Sequence, residues 1–493
     1  MNKKITFFII SVLFLSVAVC TAEKTPIENL YQYKLDNGLE LFVMENHAAP
    51  LAYIEIAVKA GGIAQTKENA GLFHLYEHMM FKGNTLYRDA ASVQRAINDL
   101  GVSEWNGSTS DEYVNYYFTV PSDRLYTGLE FWSYAVREPL LRPDEIENEK
   151  KVVLAEVEGE LANQNTIMVN TVYRTLFPDM PWKLDPSGAG NTVRSATAGD
   201  LKKIQQTYYI PNNTALFVGG DVIPDEVLAA VQKLYGDWKR GDDPWKNKIV
   251  QQNPEPFDKV ELRVMPFDQC SPEMAQIDVR YRGPDTAFDC ESTYAADVFG
   301  FLSENPDGFY KQTLVSDKRL CIPNQEYLWE SYPTKRASGV IQFGAVVVNP
   351  QDNLADRGIY FANKIDQDIA QKILADKSVF TSQEFAQVKQ TALDNRILDT
   401  ETAQGFLSSL RFWWIVADAD YYYTYAKKLS SVGYKQIAAF VKKYIAGKYP
   451  LVTVIVNPQV YEAQKDSFAA AGYKVIDAQD AYWWNDAATE EKK

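Results

Sequence analysis

The sequence lacks the positive charge that a nucleic-acid-binding protein needs. Its 493 residues include 50 Lys and Arg against 65 Asp and Glu, which gives a formal net charge of −15. Because proteins bind nucleic acid by neutralising phosphates with basic side chains, we expect no nucleic-acid partner. Hydrophobic residues make up 46% of the chain and charged residues 23%, a balance typical of globular domains and not of disordered chains.

Cysteines and long apolar runs are also scarce. Beyond the first 22 residues the sequence contains Cys270, Cys290 and Cys321, an odd number that indicates no disulfide framework. The sequence favours three buried thiols over one bridge. In the same part of the chain, no stretch approaches the roughly 18 consecutive apolar residues of a membrane-spanning helix.

The first 22 residues have the layout of an export signal. Lys3 and Lys4 precede an apolar run over residues 5–19, and small residues follow. One alternative is cleavage after Ala22. The other is a lipoprotein signal, because Val17-Ala18-Val19-Cys20 resembles a lipoprotein box whose Cys20 would become the lipid anchor. Both alternatives predict an extracytoplasmic, periplasmic protein, and the second also attaches it to a membrane.

Histidine is scarce too, and its distribution is informative. The sequence contains three histidines, two of them in the segment His74-Leu75-Tyr76-Glu77-His78. A helical pattern over residues 70–82 places His74 and His78 one turn apart on one face. Two such imidazoles can bind one zinc ion at about 2.0–2.1 Å, and Glu77 could then take a proton from water. The order His-x-x-Glu-His is the inverted zinc-peptidase motif. His47 is interpreted as a surface residue.

The third zinc ligand is predicted to be a carboxylate. A catalytic zinc site usually has three protein ligands, and no other histidine is suitably placed. Pro143 opens a predicted helix over residues 144–161 that is rich in glutamate. Glu149 and Glu156 are two turns apart and share one face of this helix. Glu158 and Glu160 are alternative ligands, because spacing alone does not separate them from Glu156.

The chain repeats one plan of strands and helices. Asn37-Gly38 predicts the tight turn of a hairpin that leads into residues 40–44. Residues 40–44 correspond to residues 261–265, at an offset of 221 residues, and the strand over 52–58 corresponds to the strand over 275–281. Each half also ends in a helical pattern, a strand and a further helical segment. This repetition predicts the α+β class. We expect two homologous domains, each a mostly antiparallel sheet covered by helices.

The predicted domain bounds follow from this duplication. Residues 27–240 form an N-terminal zinc-binding domain, and residues 260–480 form a C-terminal homologous domain without the metal motif. Residues 241–259 form a linker, because Pro, Gly, Asp and Asn are concentrated there.

Residues 35–161 resemble the N-terminal catalytic domain of the pitrilysin family of inverted-motif zinc peptidases, to which mitochondrial processing peptidase and insulin-degrading enzyme belong. The matching segments are Asp36 to Leu39, His74 to Gly83, Asn106 to Ser110 and Glu149 to Glu156. The resemblance implies that Glu156 is the third Zn²⁺ ligand and that Glu149 is the accompanying acid.

The resemblance also implies a substrate-binding strand. Asn106, Gly107, Ser108 and Thr109 are similar to the family's edge strand, which pairs with the backbone of a bound peptide and so tolerates many side chains. A simple turn at Asn106-Gly107 is the alternative. Residues 208–213 also fit the family.

The second half departs from the family pattern. Its helix over residues 290–302 takes the place of the zinc helix and contains no histidine. In the family, the C-terminal domain that faces the zinc commonly supplies an arginine and, seven residues on, a tyrosine, which would polarise the scissile carbonyl. Matching residues 309–314 to that segment puts Val315 and Ile322 at the two positions, and neither can donate a hydrogen bond.

The resemblance implies four such domains around a substrate, and this chain has two. We therefore expect a second, non-identical pitrilysin-like subunit that supplies the arginine and tyrosine, with a homodimer as the alternative. The predicted function is an exported zinc metalloendopeptidase subunit that hydrolyses peptides or unfolded segments. The alternative is a non-catalytic binding or scaffolding subunit. The intact motif argues against that alternative.

Overall fold

The computed structural model describes residues 23–102, 104–246, 255–399 and 401–484. The predicted export signal, with Cys20, lies outside the described residues, as do residues 247–254 of the predicted linker. The described strands form two sheets, one in each half of the chain. The strands are β1 (Glu23–Lys24), β2 (Leu30–Lys34), β3 (Glu40–Glu45), β4 (Leu51–Val58), β5 (Trp105–Thr109), β6 (Val114–Pro121), β7 (Thr214–Gly220), β8 (Glu261–Pro266), β9 (Met274–Arg282), β10 (Leu328–Ser331), β11 (Val340–Val348), β12 (Leu451–Val456) and β13 (Lys474–Val475).

Helices surround both sheets. The α-helices of the first half are α1 (Leu72–Met79), α2 (Ala90–Asp99), α3 (Leu125–Arg137), α4 (Pro143–Leu161), α5 (Gln164–Leu176), α6 (Gly190–Ser195), α7 (Ala198–Tyr208) and α8 (Pro224–Tyr235). Those of the second half are α9 (Cys290–Glu304), α10 (Phe309–Val315), α11 (Leu354–Lys364), α12 (Gln371–Ala375), α13 (Ser382–Asp399), α14 (Ala403–Val416), α15 (Ala419–Ser431), α16 (Tyr434–Tyr444), α17 (Pro458–Ala471) and α18 (Ala478–Ala481). Within the described ranges, no helix combines the length and apolarity needed to cross a bilayer.

The strand orders confirm the predicted fold class. The first sheet runs β1-β2-β3-β7-β4-β6-β5, and only its β3–β7 pair is parallel. The second runs β10-β11-β9-β12-β8-β13, with parallel pairs β12–β8 and β8–β13. The trio β3-β7-β4 matches β8-β12-β9 in order and direction, which is the structural form of the predicted duplication.

The first hairpin forms at the predicted Asn-Gly turn. Gly38 has a φ of +94°, a backbone conformation that glycine adopts without a steric penalty. The amide of Leu35 donates to the carbonyl of Leu39 at 2.9 Å and closes the turn between β2 and β3. Asn37 donates a side-chain N–H to the carbonyl of Tyr235 at 2.8 Å, which joins the turn to the end of α8.

Each half contributes a helix to the sheet of the other half. On β3, Leu41 and Val43 face the core beneath helices of the first half, whereas Phe42 and Met44 face α14 of the second half. In return, α5 of the first half packs on the second sheet, where Val172 and Leu176 lie in a cluster with Val340 and Leu451. The two halves are therefore packed together by helix exchange and not only side by side.

The cysteines do not form a bridge in the described part of the chain. Cys270, Cys290 and Cys321 are free thiols of intermediate exposure. The expectation of unpaired thiols agrees with this arrangement, although none of the three is fully buried.

Candidate metal centre

The two histidines of the short helix α1 lie on one face, and the other faces of the helix are apolar and buried. The buried apolar residues are Leu72, Phe73, Leu75, Tyr76 and Met79. Gly71 begins the helix with a φ of +93°. A Cβ atom at Gly71 would lie 3.0 Å from the side chain of Val193 and 3.1 Å from the carbonyl of Ser187. The helix is thus fixed closely against the loop before α6.

Helix α4 packs against α1 and brings glutamates to the same place. Pro143 stands at its first turn, where a missing N–H costs no hydrogen bond. Ile146, Val153 and Val157 are buried along one side of α4. That packing directs Glu149 and Glu156 toward α1, as the predicted two-turn spacing requires.

Three side-chain atoms converge between the two helices. His74 Nε2 lies 3.3 Å from His78 Nε2 and 3.3 Å from Glu156 Oε2, and His78 Nε2 lies 3.6 Å from Glu156 Oε2. A tetrahedral zinc ion with bonds of about 2.0–2.1 Å would hold its ligand atoms about 3.3–3.5 Å apart. In the described part of the chain, this is the one group of three His, Cys, Asp or Glu residues whose ligand atoms converge.

Glu149 orients His78 from behind. Its Oε2 lies 3.1 Å from His78 Nδ1, and its Oε1 pairs with Lys82 Nζ at 2.6 Å. The contact fixes the ring so that Nε2 faces Glu156, as is common for metal-binding histidines. Burial would raise the pKa of Glu149, but His78 and Lys82 hold it below its usual value. Glu149 is therefore an anion.

The pKa values of the two imidazoles are shifted in opposite directions. Burial, together with the neighbouring His78, lowers the pKa of His74 to about 4, so this ring is neutral at neutral pH, the form that binds a metal. Burial also opposes the charged form of His78, but Glu149, Glu77 and Glu156 outweigh it and raise its pKa.

Glu77 lies between the candidate metal ligands and strand β5. Its Oε2 accepts a hydrogen bond from the hydroxyl of Thr109 at 2.8 Å. Burial raises the pKa of Glu77, although the Thr109 contact acts in the opposite direction. A Cβ atom added at Gly107 would lie 3.1 Å from Glu77 Oε1, so the strand passes close to this carboxylate because Gly107 has no side chain.

The predicted substrate strand is the outer strand of the first sheet. Asn106 to Thr109 belong to β5, which pairs with β6 on one side and with no strand of the described residues on the other. The alternative of a simple turn at Asn106-Gly107 is thus wrong. Binding of a peptide along this edge stays a prediction.

The other candidate residues lie away from the site. His47 is 53% exposed and is bracketed by Asp221 at 2.7 Å and Glu45 at 3.0 Å, in line with its interpretation as a surface residue. Glu158 lies 3.6 Å from Arg194. Glu160 accepts a hydrogen bond from Thr166.

The second half supplies no donor at the positions aligned with the family's arginine and tyrosine. Ile322 is buried in the core of the second half, and Val315, the last residue of α10, packs against that core. Helix α9 occupies the place of the zinc helix and is built mainly from buried apolar and small residues.

Two family profiles together match more than half of the chain. Residues 41–184 match the profile described as "Insulinase (Peptidase family M16)", and residues 195–304 match "Peptidase M16 inactive domain". The first match contains α1, α4 and β5, and with them every residue of the site. The chain belongs to peptidase family M16. The resemblance predicted from the motif is thereby confirmed.

Curated M16 relatives include named zinc proteases. The chain is 26% identical over 215 residues to an "Uncharacterized zinc protease" of Rickettsia felis, across 44% of this chain and 52% of that protein. It is 27% identical over 250 residues to "Probable mitochondrial-processing peptidase subunit beta, mitochondrial" of Arabidopsis thaliana, across 50% of this chain and 46% of that protein. The matched region thus spans about half the length of these relatives.

Solved M16 structures share the fold. The first half of the periplasmic protease PqqL from Escherichia coli superposes with a TM-score of 0.70 at 18% identity, covering 92% of this chain and 97% of that fragment. Against the whole of PqqL, the TM-score is 0.65 at 18% identity, and the match covers 91% of this chain and 51% of that protein. This M16 chain therefore has the architecture of one half of PqqL.

Two contacts at the site were not predicted from the sequence. Lys82 neutralises Glu149, and Thr109 binds Glu77 in addition to its predicted place on the substrate strand. The sequence places Lys82 four residues after His78, near the motif. This spacing alone does not indicate that Lys82 contacts a residue on another helix.

Proposed function

We propose that this M16 chain is the zinc-binding subunit of a metalloendopeptidase that hydrolyses peptides or unfolded segments. The observation that carries the proposal is the convergence of His74, His78 and Glu156, with Glu77 beside them. The relatives named as zinc proteases support the same reaction class.

The donor set fits a catalytic zinc ion. Two imidazole nitrogens and one carboxylate oxygen are a known set of catalytic zinc ligands, and a structural site usually has four protein ligands. Glu156 is 49% exposed and His74 is 17% exposed, so solvent reaches the group, as a catalytic site that binds water requires. When bound, zinc would supply Lewis acidity toward a peptide carbonyl and toward water.

The chain's own residues perform the proton transfer and the positioning. Glu77 is placed to accept a proton from the attacking water and to pass it to the leaving amine. Glu149 and Lys82 hold His78 in its ring orientation. A substrate backbone pairs with the free edge of β5, which brings its carbonyl next to Glu77.

The active assembly contains a second, non-identical M16 subunit. The support for it is the half-length match to PqqL together with Val315 and Ile322, which offer no hydrogen-bond donor where the family has arginine and tyrosine. A homodimer is the alternative assembly.

The protein works outside the cytoplasm. The signal-like first 22 residues support this location, as does the fold shared with a protease described as periplasmic. Zn²⁺ is the proposed cofactor, and a lipid anchor at Cys20 is the alternative to cleavage after Ala22.

Glu77→Gln tests the proposed function. The variant should keep wild-type zinc content, because all three ligands are present, and it should lose about 10²–10⁴-fold in peptide cleavage, because the positioned base is gone. The control is Glu158→Gln, on the exposed side of α4. Both variants are measured as full chains with zinc, alone and with an added M16 subunit. Cleavage by Glu77→Gln at the wild-type rate would show that Glu77 is not the base. A wild-type chain that binds zinc but cleaves no peptide, alone or with the added subunit, would favour the scaffolding function.

A further inference from the structure

The turn that follows β5, the proposed substrate strand, is hydrogen-bonded to other residues of the first half of the chain. This turn, residues 110–113, connects β5 to β6. Gly62 donates its backbone N–H to the carbonyl of Ser110 at 3.0 Å, and Ile63 donates to the carbonyl of Asp111 at 2.6 Å. Ser110 donates to the carbonyl of Tyr113 at 2.8 Å and closes the turn.

The second half of the chain also binds this turn. The contact is made by residues 335–337, between β10 and β11. Lys335 Nζ lies 2.6 Å from Asp111 Oδ2. The backbone N–H groups of Arg336 and Ala337 donate to the buried carboxylate of Glu112 at 2.8 and 3.2 Å. Two adjacent acidic side chains of the first half are thus bound by three consecutive residues of the second.

Residues 335–337 are themselves held in place. The amides of Thr286 and Ala287 donate to the carbonyls of Lys335 and Arg336 at 3.0 and 3.1 Å. The ammonium group of Lys335 also lies over the ring of Tyr173, 5.0 Å from its centroid. An isolated surface ion pair contributes little, but this one is 16% and 28% exposed at its two side chains and belongs to a network.

The N-terminal side of the turn adjoins the residue that contacts the proposed base, Glu77. Thr109 immediately precedes the turn and donates its hydroxyl to Glu77 at 2.8 Å. Among the strands of the described residues, β5 is hydrogen-bonded to a neighbour on one side only. Its position therefore depends more on the adjoining turn than that of an interior strand would.

We propose that the metal-free half positions the substrate strand and the base of the metal-binding half, through Lys335 and the backbone N–H groups of Arg336 and Ala337. This inference rests on the proposed function, in which Glu77 is the base. Lys335 is a positioning residue. Its side chain fixes Asp111, the turn fixes β5, and Thr109 at the end of β5 fixes the Glu77 carboxylate.

Lys335→Met tests the proposal against a matched control. The control is Lys311→Met, because Lys311 is also a little-exposed lysine, paired with Glu304 at 2.7 Å, but lies wholly within the second half. Hydrogen–deuterium exchange of residues 105–113 should become about fivefold faster in Lys335→Met and stay at the wild-type rate in Lys311→Met. Zinc content should not change in either variant.

The kinetic test uses the zinc-loaded full chain with an added M16 subunit. Lys335→Met should lower kcat by about 3- to 30-fold, and Lys335→Arg should restore most of it. In a Thr109→Val background the same substitution should change kcat less than about twofold, because the route from Lys335 to Glu77 is already cut.

The outcomes separate the two proposals. Wild-type exchange of residues 105–113 in Lys335→Met overturns the positioning role, whatever the peptidase activity. Equal effects of Lys335→Met with and without the Thr109 hydroxyl also overturn the route through Thr109. A fully active Glu77→Gln combined with faster exchange in Lys335→Met would instead overturn the base assignment and leave the grip on β5 standing.

Discussion

At the scale of single residues, the glutamates of α4 show how direction along a helix selects one ligand. Successive residues turn by about 100°, so Glu158 points away from the side occupied by Glu156. Glu160 returns to roughly the same side but lies about 6 Å further along the axis. Their contacts agree, since Glu158 is near Arg194 and Glu160 binds Thr166.

We therefore expect Glu156→Gln to weaken zinc binding far more than Glu158→Gln or Glu160→Gln. An amide is a poor zinc ligand compared with a carboxylate. A catalytic site has only three protein ligands, so the loss of one should weaken zinc binding strongly. Metal content after dialysis against a graded chelator series measures the difference. Equal zinc occupancy in all three variants would remove Glu156 from the site.

The residues of the site differ in how far the sequence could predict them. His74, Glu77 and His78 lie within one helical turn, so their proximity follows from helix geometry alone. Glu156 needed the family resemblance, because spacing alone left Glu156, Glu158 and Glu160 of α4 as candidate ligands. The contacts of Lys82 with Glu149 and of Thr109 with Glu77 join different elements, and the packing of α1 against α4 and β5 decides them.

At the scale of elements, the loop before α6 supports the start of α1. Asp185 is buried in this loop and accepts a hydrogen bond from the amide of Gly188 at 3.3 Å. Gly188 lies so close to Gly71 that an added Cβ would meet the Gly71 nitrogen at 2.0 Å. Burial raises the pKa of Asp185 to about 7, although the contact with Gly188 acts against the shift.

This raised pKa predicts a stability that depends on pH. Between about pH 4 and pH 7 the folded state binds a proton at Asp185 that the unfolded state has lost, so the free energy of unfolding falls as pH rises. Asp185→Asn keeps the acceptor oxygen but cannot ionise. From pH 4.5 to pH 8, its stability relative to wild type should rise by about 1–3 kcal/mol.

Urea unfolding of the zinc-free proteins at both pH values measures this change. Asp200→Asn is a suitable control, because Asp200 is a partly exposed residue in the first turn of α7, and Thr197 and Lys203 lower its pKa. A constant difference between Asp185→Asn and wild type at the two pH values would contradict the raised pKa.

Elements could be predicted where residues close together in the sequence determine them. The Asn37-Gly38 turn predicted the β2–β3 hairpin, and the order of strands and helices predicted the duplication. The insertion of β7 between β3 and β4 had no such signal, because β7 is about 160 residues further along the chain. The position of β7 in the sheet depends on how its buried side chains pack against those of the neighbouring strands and helices. The sequence of one strand does not specify that packing.

At the scale of the whole molecule, the helix exchange joins the halves through buried contacts. Arg411 on α14 lies 2.9 Å from Glu55, a fully buried carboxylate on β4 of the first sheet. Such a pair is costly to break, because either charge alone would be buried without a partner. The second half is therefore a permanent part of the structure around the site, although it holds no metal motif.

At this scale, the prediction is that the chain needs a second subunit for full activity. Purified alone, the chain should bind zinc but cleave peptides slowly, because Val315 and Ile322 provide no donor for the carbonyl. Loss of one preorganised donor costs about 10²–10³ in rate. Adding an M16 subunit that carries the arginine and tyrosine should restore the rate and produce a heterodimer by light scattering.

The opposite result has a clear meaning. If the isolated chain, free of any second protein, matches the rate of the mixture, a homodimer is the working form. The alignment that places Val315 and Ile322 at the donor positions would then be wrong.

The outer edge of β5, which pairs with no strand of the described residues, has a consequence for solubility. Unpaired backbone groups on an outer strand can pair with any extended chain, including another copy of the same protein. The strand is five residues long and reads Trp-Asn-Gly-Ser-Thr, which offers little apolar surface for stacked copies to bury. The one large apolar residue of β5, Trp105, packs against Phe81 with ring centroids 4.7 Å apart. In its proposed role β5 pairs with varied peptides but not with other copies of the chain, and a short strand of otherwise polar residues and glycine suits both requirements.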